Sequence, residues 1–285
     1  MTLDQIPATR DPGYARGDAL VEPDWLRAHL TDSDLVVVEV DVSPAAYQIG
    51  HIAGAVLWNV YADLKDAEYA FVGPAAFEDL LGRSGISASS TVVFYGYAPA
   101  LGLWLMKLFG HPDARILNSS RQGWQRGGGT LTATPPTVTA SHYPLPATRE
   151  RIRASLTEVT TAIADPEYTI VDVRSDAEFR GERFWPSGGM EPGGRAGHVP
   201  SARHVPIDDL LDEHGAYRNA AQLWQVLAPA VDAGSQRVIT YCTIGGRAAT
   251  AWFALSQLLG HQDVAVYDGS WAQWGRTPTT AVTAP

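Results

Sequence analysis

The chain has 285 residues, 45% apolar and 18% charged, with a formal charge of −10, which excludes the disordered regime and suggests two domains of about 130 residues each. Its 31 Asp+Glu outnumber 21 Lys+Arg, and lysine occurs only at Lys65 and Lys107, so no surface that tracks nucleic-acid or anionic-lipid phosphates is expected. A single cysteine, Cys242, excludes an intrachain disulfide framework and multi-thiolate metal sites, and fits a reducing, cytoplasmic compartment.

Taken in chain order, residues 1–12 carry acids and prolines where a secretory signal needs a basic start and an apolar core, so no cleaved signal is expected. Residues 92–106 are uncharged but shorter than the roughly 20 residues of a membrane span. With Gly96 and Pro99 inside, they read as strand, turn and buried helix. Residues 131–149 are rich in Pro and Thr and lack an apolar period, which predicts a partly extended linker. Beyond it the pattern predicts a helix over 156–164, a buried strand over 168–173 and a short helix over 176–179. A helix over 220–227, a strand over 237–241, a helix over 247–259 and a strand over 264–267 follow.

The chain repeats itself. V-V-E-V-D at 37–41 answers I-V-D-V-R at 170–174, and G-H-I-A-G-A at 50–55 answers G-H-V-P-S-A at 197–202. V-V-F-Y at 92–95 answers V-I-T-Y at 238–241, and the stretches 103–118 and 253–268 correspond in turn. Four blocks in the same order indicate a duplicated domain. Strand runs free of polar alternation are covered on both faces, and strands alternating with helices imply a mainly parallel sheet. The expected fold is therefore α/β, two tandem domains at 17–130 and 150–285 joined by the linker 131–149.

One segment carries chemistry: Cys242-Thr243-Ile244-Gly245-Gly246-Arg247, at the carboxyl end of a predicted strand and immediately before a helix. Gly245 and Gly246 let the backbone curl so that N–H groups converge on the sulfur. The helix start and the Arg247 guanidinium add positive charge, and all three favour thiolate over thiol. A lone cysteine in an apolar strand is ordinarily an inert buried residue. The Gly-Gly-Arg that follows shifts the reading to a reactive nucleophile. The first half has only Gly96-Tyr97-Ala98-Pro99 at the matching place, without cysteine or arginine.

Other groups read as structural. Asp172 and Arg174 suggest an ion pair beside the loop, while His198 and His51 suggest hydrogen-bonded turn histidines. Trp271 and Trp274 suggest packing, and residues 127–129 make a weak phosphate loop, since no strand precedes them. An insertion at 181–196 has no counterpart in the first half. Its Arg183 and Arg195 are candidates to line a cleft and hold an anion, against the alternative of a solvated loop. Trp185 is a candidate to cover the cleft mouth.

The six-residue cysteine loop, D-V-R at 172–174, G-H-V-P-S-A at 197–202, Y-D-G-S-W-A-Q-W at 267–274 and the duplication together resemble the two-domain rhodaneses, the thiosulfate and 3-mercaptopyruvate sulfurtransferases. The resemblance covers nearly the whole chain. It implies that Cys242 carries a persulfide, with Thr243, Ile244, Gly245, Gly246 and Arg247 cradling the transferred sulfur, and that the first domain is degenerate. It implies a sulfane sulfur moved from thiosulfate to cyanide, a small thiol or a protein thiol, without metal or organic cofactor. Cysteine phosphatases place five residues between Cys and Arg, whereas four stand here, a tighter ring that suits sulfur. Two departures bear on the donor: Thr243 stands where some thiosulfate-using members are basic, and neither lysine falls in the motifs of the cysteine-bearing half. Arg247 is expected to supply the charge instead. The alternatives are 3-mercaptopyruvate as donor, or a non-catalytic rhodanese-like binding module.

Overall fold

A computed structural model describes residues 12–146, 148–231 and 236–284; residues 1–11, which hold nearly all of the segment assessed above for a secretory signal, lie outside the described residues. Two five-stranded sheets form. The first contains β1 (Leu20–Val21), β2 (Leu35–Asp41), β3 (Val56–Asn59), β4 (Thr91–Gly96) and β5 (Ala114–Leu117) in the order β1-β5-β4-β2-β3. The second contains β6 (Arg153–Ala154), β7 (Tyr168–Asp172), β8 (Arg203–His204), β9 (Arg237–Tyr241) and β10 (Val264–Tyr267) in the order β6-β10-β9-β7-β8. All pairings between these strands are parallel. The orders are superimposable, so the sequence repeat is a repeat of topology.

The apolar runs account for the layering. Val238 to Tyr241 are buried on both faces of β9, as Val92 to Tyr95 are in β4. Helix Pro99–Leu108 is buried at Ala100 through Met106 and at Leu108. A helix apolar all round must be covered on every side. Its own sheet covers one side and helix Gly246–Phe253 of the other half covers another. One core cluster consequently runs through both halves, joining Phe71, Leu101 and Leu105 to Ala248, Trp252 and Leu255.

The predicted helices at 176–179 and 220–227 and the strands at 237–241 and 264–267 are observed with those bounds. The helix after the cysteine begins one residue earlier, at Gly246, and widens into a π-type run at Ala254–Leu258. Strands β6 and β8 are two residues long and are defined by their neighbours, with no apolar period of their own. Among the described residues, 131–149 and 181–196 carry no helix or strand beyond an isolated bridge of Thr132 to His51. No helix among the described residues is long and apolar enough to cross a membrane.

Candidate active site

Cys242 follows β9 directly, at the point where the ladder with β7 ends on the pair Asp172 and Tyr241. The turn passes through Gly245 at φ +91°, a left-handed conformation that costs an L side chain about 1–2 kcal/mol. This curls the Gly245 N–H to 3.1 Å from the Cys242 Sγ. Among the described residues it is the one hydrogen bond the sulfur receives, so the expected convergence of several amides reduces to a single one. The loop's carbonyls are clamped from behind: Trp271 N–H donates to Cys242 O and Ala272 N–H to Thr243 O, both at 2.9 Å. Cys242 N–H donates to Ser270 Oγ at 3.2 Å.

A cavity of about 210 Å³ opens above the loop, between the halves. The second half contributes Cys242, Thr243, Ile244, Gly246, Arg247 and Trp185, and the first contributes Val42, Val60, Tyr61, Tyr97 and Ala98. Tyr97 and Ala98 are the shortened counterpart of the cysteine loop, now serving as a wall. Trp185 sits in the cavity wall and is anchored by Nε1 to Glu191 at 2.9 Å. The lining is largely aliphatic and aromatic, and among the described residues Arg247 is the one cation in it.

That cation is already engaged. Arg247 Nη1 and Nη2 donate to the two oxygens of Glu178 at 2.8 and 2.7 Å, and Nη2 also reaches Thr243 Oγ1 at 2.7 Å. Thr243 Oγ1 donates to Glu178 Oε1 at 2.7 Å. Burial works against the Glu178 charge, but the hydrogen bonds and charge of Arg247 outweigh it, aided by Thr243 and Ser175, and hold the carboxyl down at about 2. Burial likewise opposes the Arg247 charge, and Glu178 outweighs it, raising Arg247 above the usual arginine range. The expectation that Arg247 presents a free positive charge is thus corrected: its guanidinium is neutralised by a fully buried carboxylate.

Glu178 escaped the sequence reading although part of its role is written there. Ser175 and Glu178 form a capping box at the start of helix Asp176–Phe179. Ser-x-x-Glu is legible as a helix start, but the same carboxylate turning to the cysteine loop is not.

The two insertion arginines do not line the cavity. Arg195 donates to the carbonyls of Trp274, Gly275, Thr277 and Thr280 at 2.5–3.2 Å. It fastens the chain's closing segment, which removes it from the set of substrate contacts. Arg183 reaches Ser175 Oγ at 2.9 Å, and Ser175 Oγ in turn donates to Glu178 at 2.8 Å. It stands one residue behind the Glu178–Arg247 pair.

The groups read as structural take such positions. Arg174 and Asp172 are both fully buried and pair at 2.6 Å, with Tyr241 Oη donating to Asp172 at 2.5 Å. His198 stacks on Phe179 and bonds its carbonyl at 3.0 Å, while His51 stacks on Tyr47. Lys65, which lies outside the motifs, is brought beside the cysteine loop from the first half: its Nζ donates to Asp268 O at 2.8 Å.

The comparisons with known proteins agree with this geometry. The rhodanese-like domain matches residues 22–127 and 155–277. The chain is 36% identical over 290 residues to "Putative thiosulfate sulfurtransferase SseA" of Mycobacterium bovis, covering 100% of this chain and 97% of that protein. It is 35% identical to "Sulfur carrier protein TtuD" of Thermus thermophilus, covering 92% and 95%. Among solved structures, the anaerobic ergothioneine biosynthesis enzyme of Chlorobium limicola shares the fold at a TM-score of 0.82 and 22% identity, covering 95% of this chain and 71% of that one. With both matched segments centred on the two sheets, the chain belongs to the rhodanese-like family of sulfurtransferases.

Proposed function

We propose that the protein moves a sulfane sulfur from thiosulfate to a thiophilic acceptor through a persulfide on Cys242. The observation that carries this reading is the placement of the chain's only sulfhydryl on the floor of a cavity of about 210 Å³, facing a backbone N–H at 3.1 Å. In the first step the Cys242 thiolate attacks the outer sulfur of thiosulfate. The bond between the two donor sulfurs breaks, its electron pair leaves with sulfite, and a Cys242 persulfide anion remains. In the second step cyanide or a thiolate takes the outer sulfur and the Cys242 thiolate is restored. The Gly245 N–H and the start of helix Gly246–Phe253 act on the sulfur anion in both steps. No proton transfer is needed, and among the described residues no histidine lines the cavity.

The names of the relatives support thiosulfate as donor and a small thiol or a sulfur-carrying protein as acceptor. The apolar lining and the neutralised Arg247 favour a second donor class of lower charge, 3-mercaptopyruvate among them. The lone free cysteine fits work in a reducing cytoplasm. Mass spectrometry after incubation with thiosulfate tests the reading: a gain of about 32 Da, one sulfur, is expected on the wild type and none on Cys242→Ser. An unmodified wild type, or an adduct retained in the serine variant, refutes it. Relative kcat/KM for thiosulfate and 3-mercaptopyruvate with cyanide decides between donors.

A further inference from the structure

Arg247 and Lys65 both act on the Cys242 sulfur, and Glu178 neutralises the first. The second lies in the turn that a bridge between Lys65 and Phe71 closes. It is only 6% exposed. Its Nζ donates to Tyr69 O at 2.6 Å and Asp268 O at 2.8 Å, and lies 3.4 Å from the centre of the Phe71 ring. The same carbonyl and ring abut the loop: a Cβ on Gly245 would lie 3.1 Å from Asp268 O and 3.2 Å from Phe71 Cζ. Gly245 is the residue whose N–H touches Sγ.

No carboxylate oxygen bonds this ammonium among the described residues. The Asp268 carboxylate is taken by Arg153 at 2.8 Å and by the Phe71 N–H at 3.0 Å. The charged groups that face Lys65 are Asp268, the Cys242 sulfur, Arg153 and Asp66. Burial pulls Lys65 down to about 7, against the pull of Asp268 and Cys242. A buried charge without a bonded counter-ion costs folding free energy that a methionine would not. A sulfur anion at a cysteine 1% exposed also needs a compensating charge nearby.

We propose that Lys65, supplied by the half without a cysteine, is a positioning residue for sulfur transfer: its ammonium stabilises the sulfur anion on Cys242, and its hydrogen bonds hold the Asp268 carbonyl against Gly245. This rests on Cys242 being the reacting sulfur. The first half then contributes a charge as well as a wall.

The test is the pH dependence of iodoacetamide alkylation at Cys242 in the full chain, followed by mass spectrometry. Lys65→Met is expected to raise the pH of half-maximal rate by about one unit, roughly tenfold slower labelling below it. Lys65→Arg, charged across the whole pH range, is expected to hold the pH of half-maximal rate at or below the wild-type value. Phe71→Leu, which loosens the same contact without removing charge, should lower the thermal midpoint and leave the profile in place. If Lys65→Met does not fold, Lys65→Gln replaces it and keeps a donor for the two carbonyls. An unmoved profile in the folded neutral variant, or an equal shift in Phe71→Leu, overturns the assignment. A wild type that alkylates at Cys242 but gains no sulfur from any donor sinks the proposed function and with it the role of Lys65 in sulfur transfer, whereas an unmoved alkylation profile in the neutral variants of a sulfur-loading enzyme sinks the Lys65 assignment alone.

Discussion

Replacing Glu178 by glutamine separates what holds the loop from what selects the donor. The Glu178 side chain is fully buried and accepts from Arg247 twice, from Thr243 Oγ1, and from the N–H and Oγ of Ser175, all within 2.7–3.2 Å. Its carboxyl titrates at about 2 against an ordinary 4.5. Because the folded value is depressed, the stabilisation is present in full above pH 4.5 and is lost as pH falls toward 2. The gap is worth about 3 kcal/mol. Glu178→Gln should therefore lower the thermal midpoint at pH 7 by roughly 6–12 °C, and the wild type should converge on the variant as pH drops through that window. The same change leaves Arg247 charged and unopposed at the cavity wall. A charge-assisted hydrogen bond contributes about 1.5–3 kcal/mol, so the KM for thiosulfate should fall by at least about tenfold relative to 3-mercaptopyruvate. The assay is steady-state turnover with cyanide as acceptor, run beside a thermal melt of each variant. A folded Glu178→Gln protein with an unchanged thiosulfate KM would show that the carboxylate does not mask Arg247 from the donor.

Two further outcomes follow from the packing. Gly245→Ala places a Cβ in a left-handed conformation and within 3.1–3.2 Å of Asp268 O and Phe71. It should cost about 1–2 kcal/mol in a thermal melt and reduce sulfur loading by swinging the N–H off Sγ; loading at the wild-type rate would show that this amide is not needed. The isolated segment 150–285 lacks helix Pro99–Leu108, which packs on helix Gly246–Phe253 in the whole chain, and so loses part of the shared core. It should aggregate or lose most sulfur transfer, and full activity from it would refute any contribution of the first half.

What could be read from the sequence was local. Strand β9 and its neighbour β10 announce themselves as uninterrupted β-branched and apolar runs, and the cysteine loop as Cys-x-x-Gly-Gly-Arg between a strand and a helix. Backbone curl, strand burial and helix start are properties of a few consecutive residues, so the position of Cys242 needed no structure. The repeat indicated that both halves share one order of elements and hence two mainly parallel sheets, whereas the strand order within each sheet came from the fold.

The electrostatics of the site belong to the tertiary structure. Glu178 meets Arg247 across 69 positions of sequence, and Lys65 meets Asp268 across 203. A charge's effect depends on distance and on the dielectric around it, and neither is a function of local pattern. Sequence alone therefore leaves Arg247 a free cation, Lys65 remote and Arg195 a candidate either for substrate contact or for a solvated loop. The fold instead neutralises the first, buries the second beside the loop and gives the third to four backbone carbonyls. Nor could β6 and β8 be anticipated, since two residues carry no period and become strands only when a neighbour's edge pairs with them.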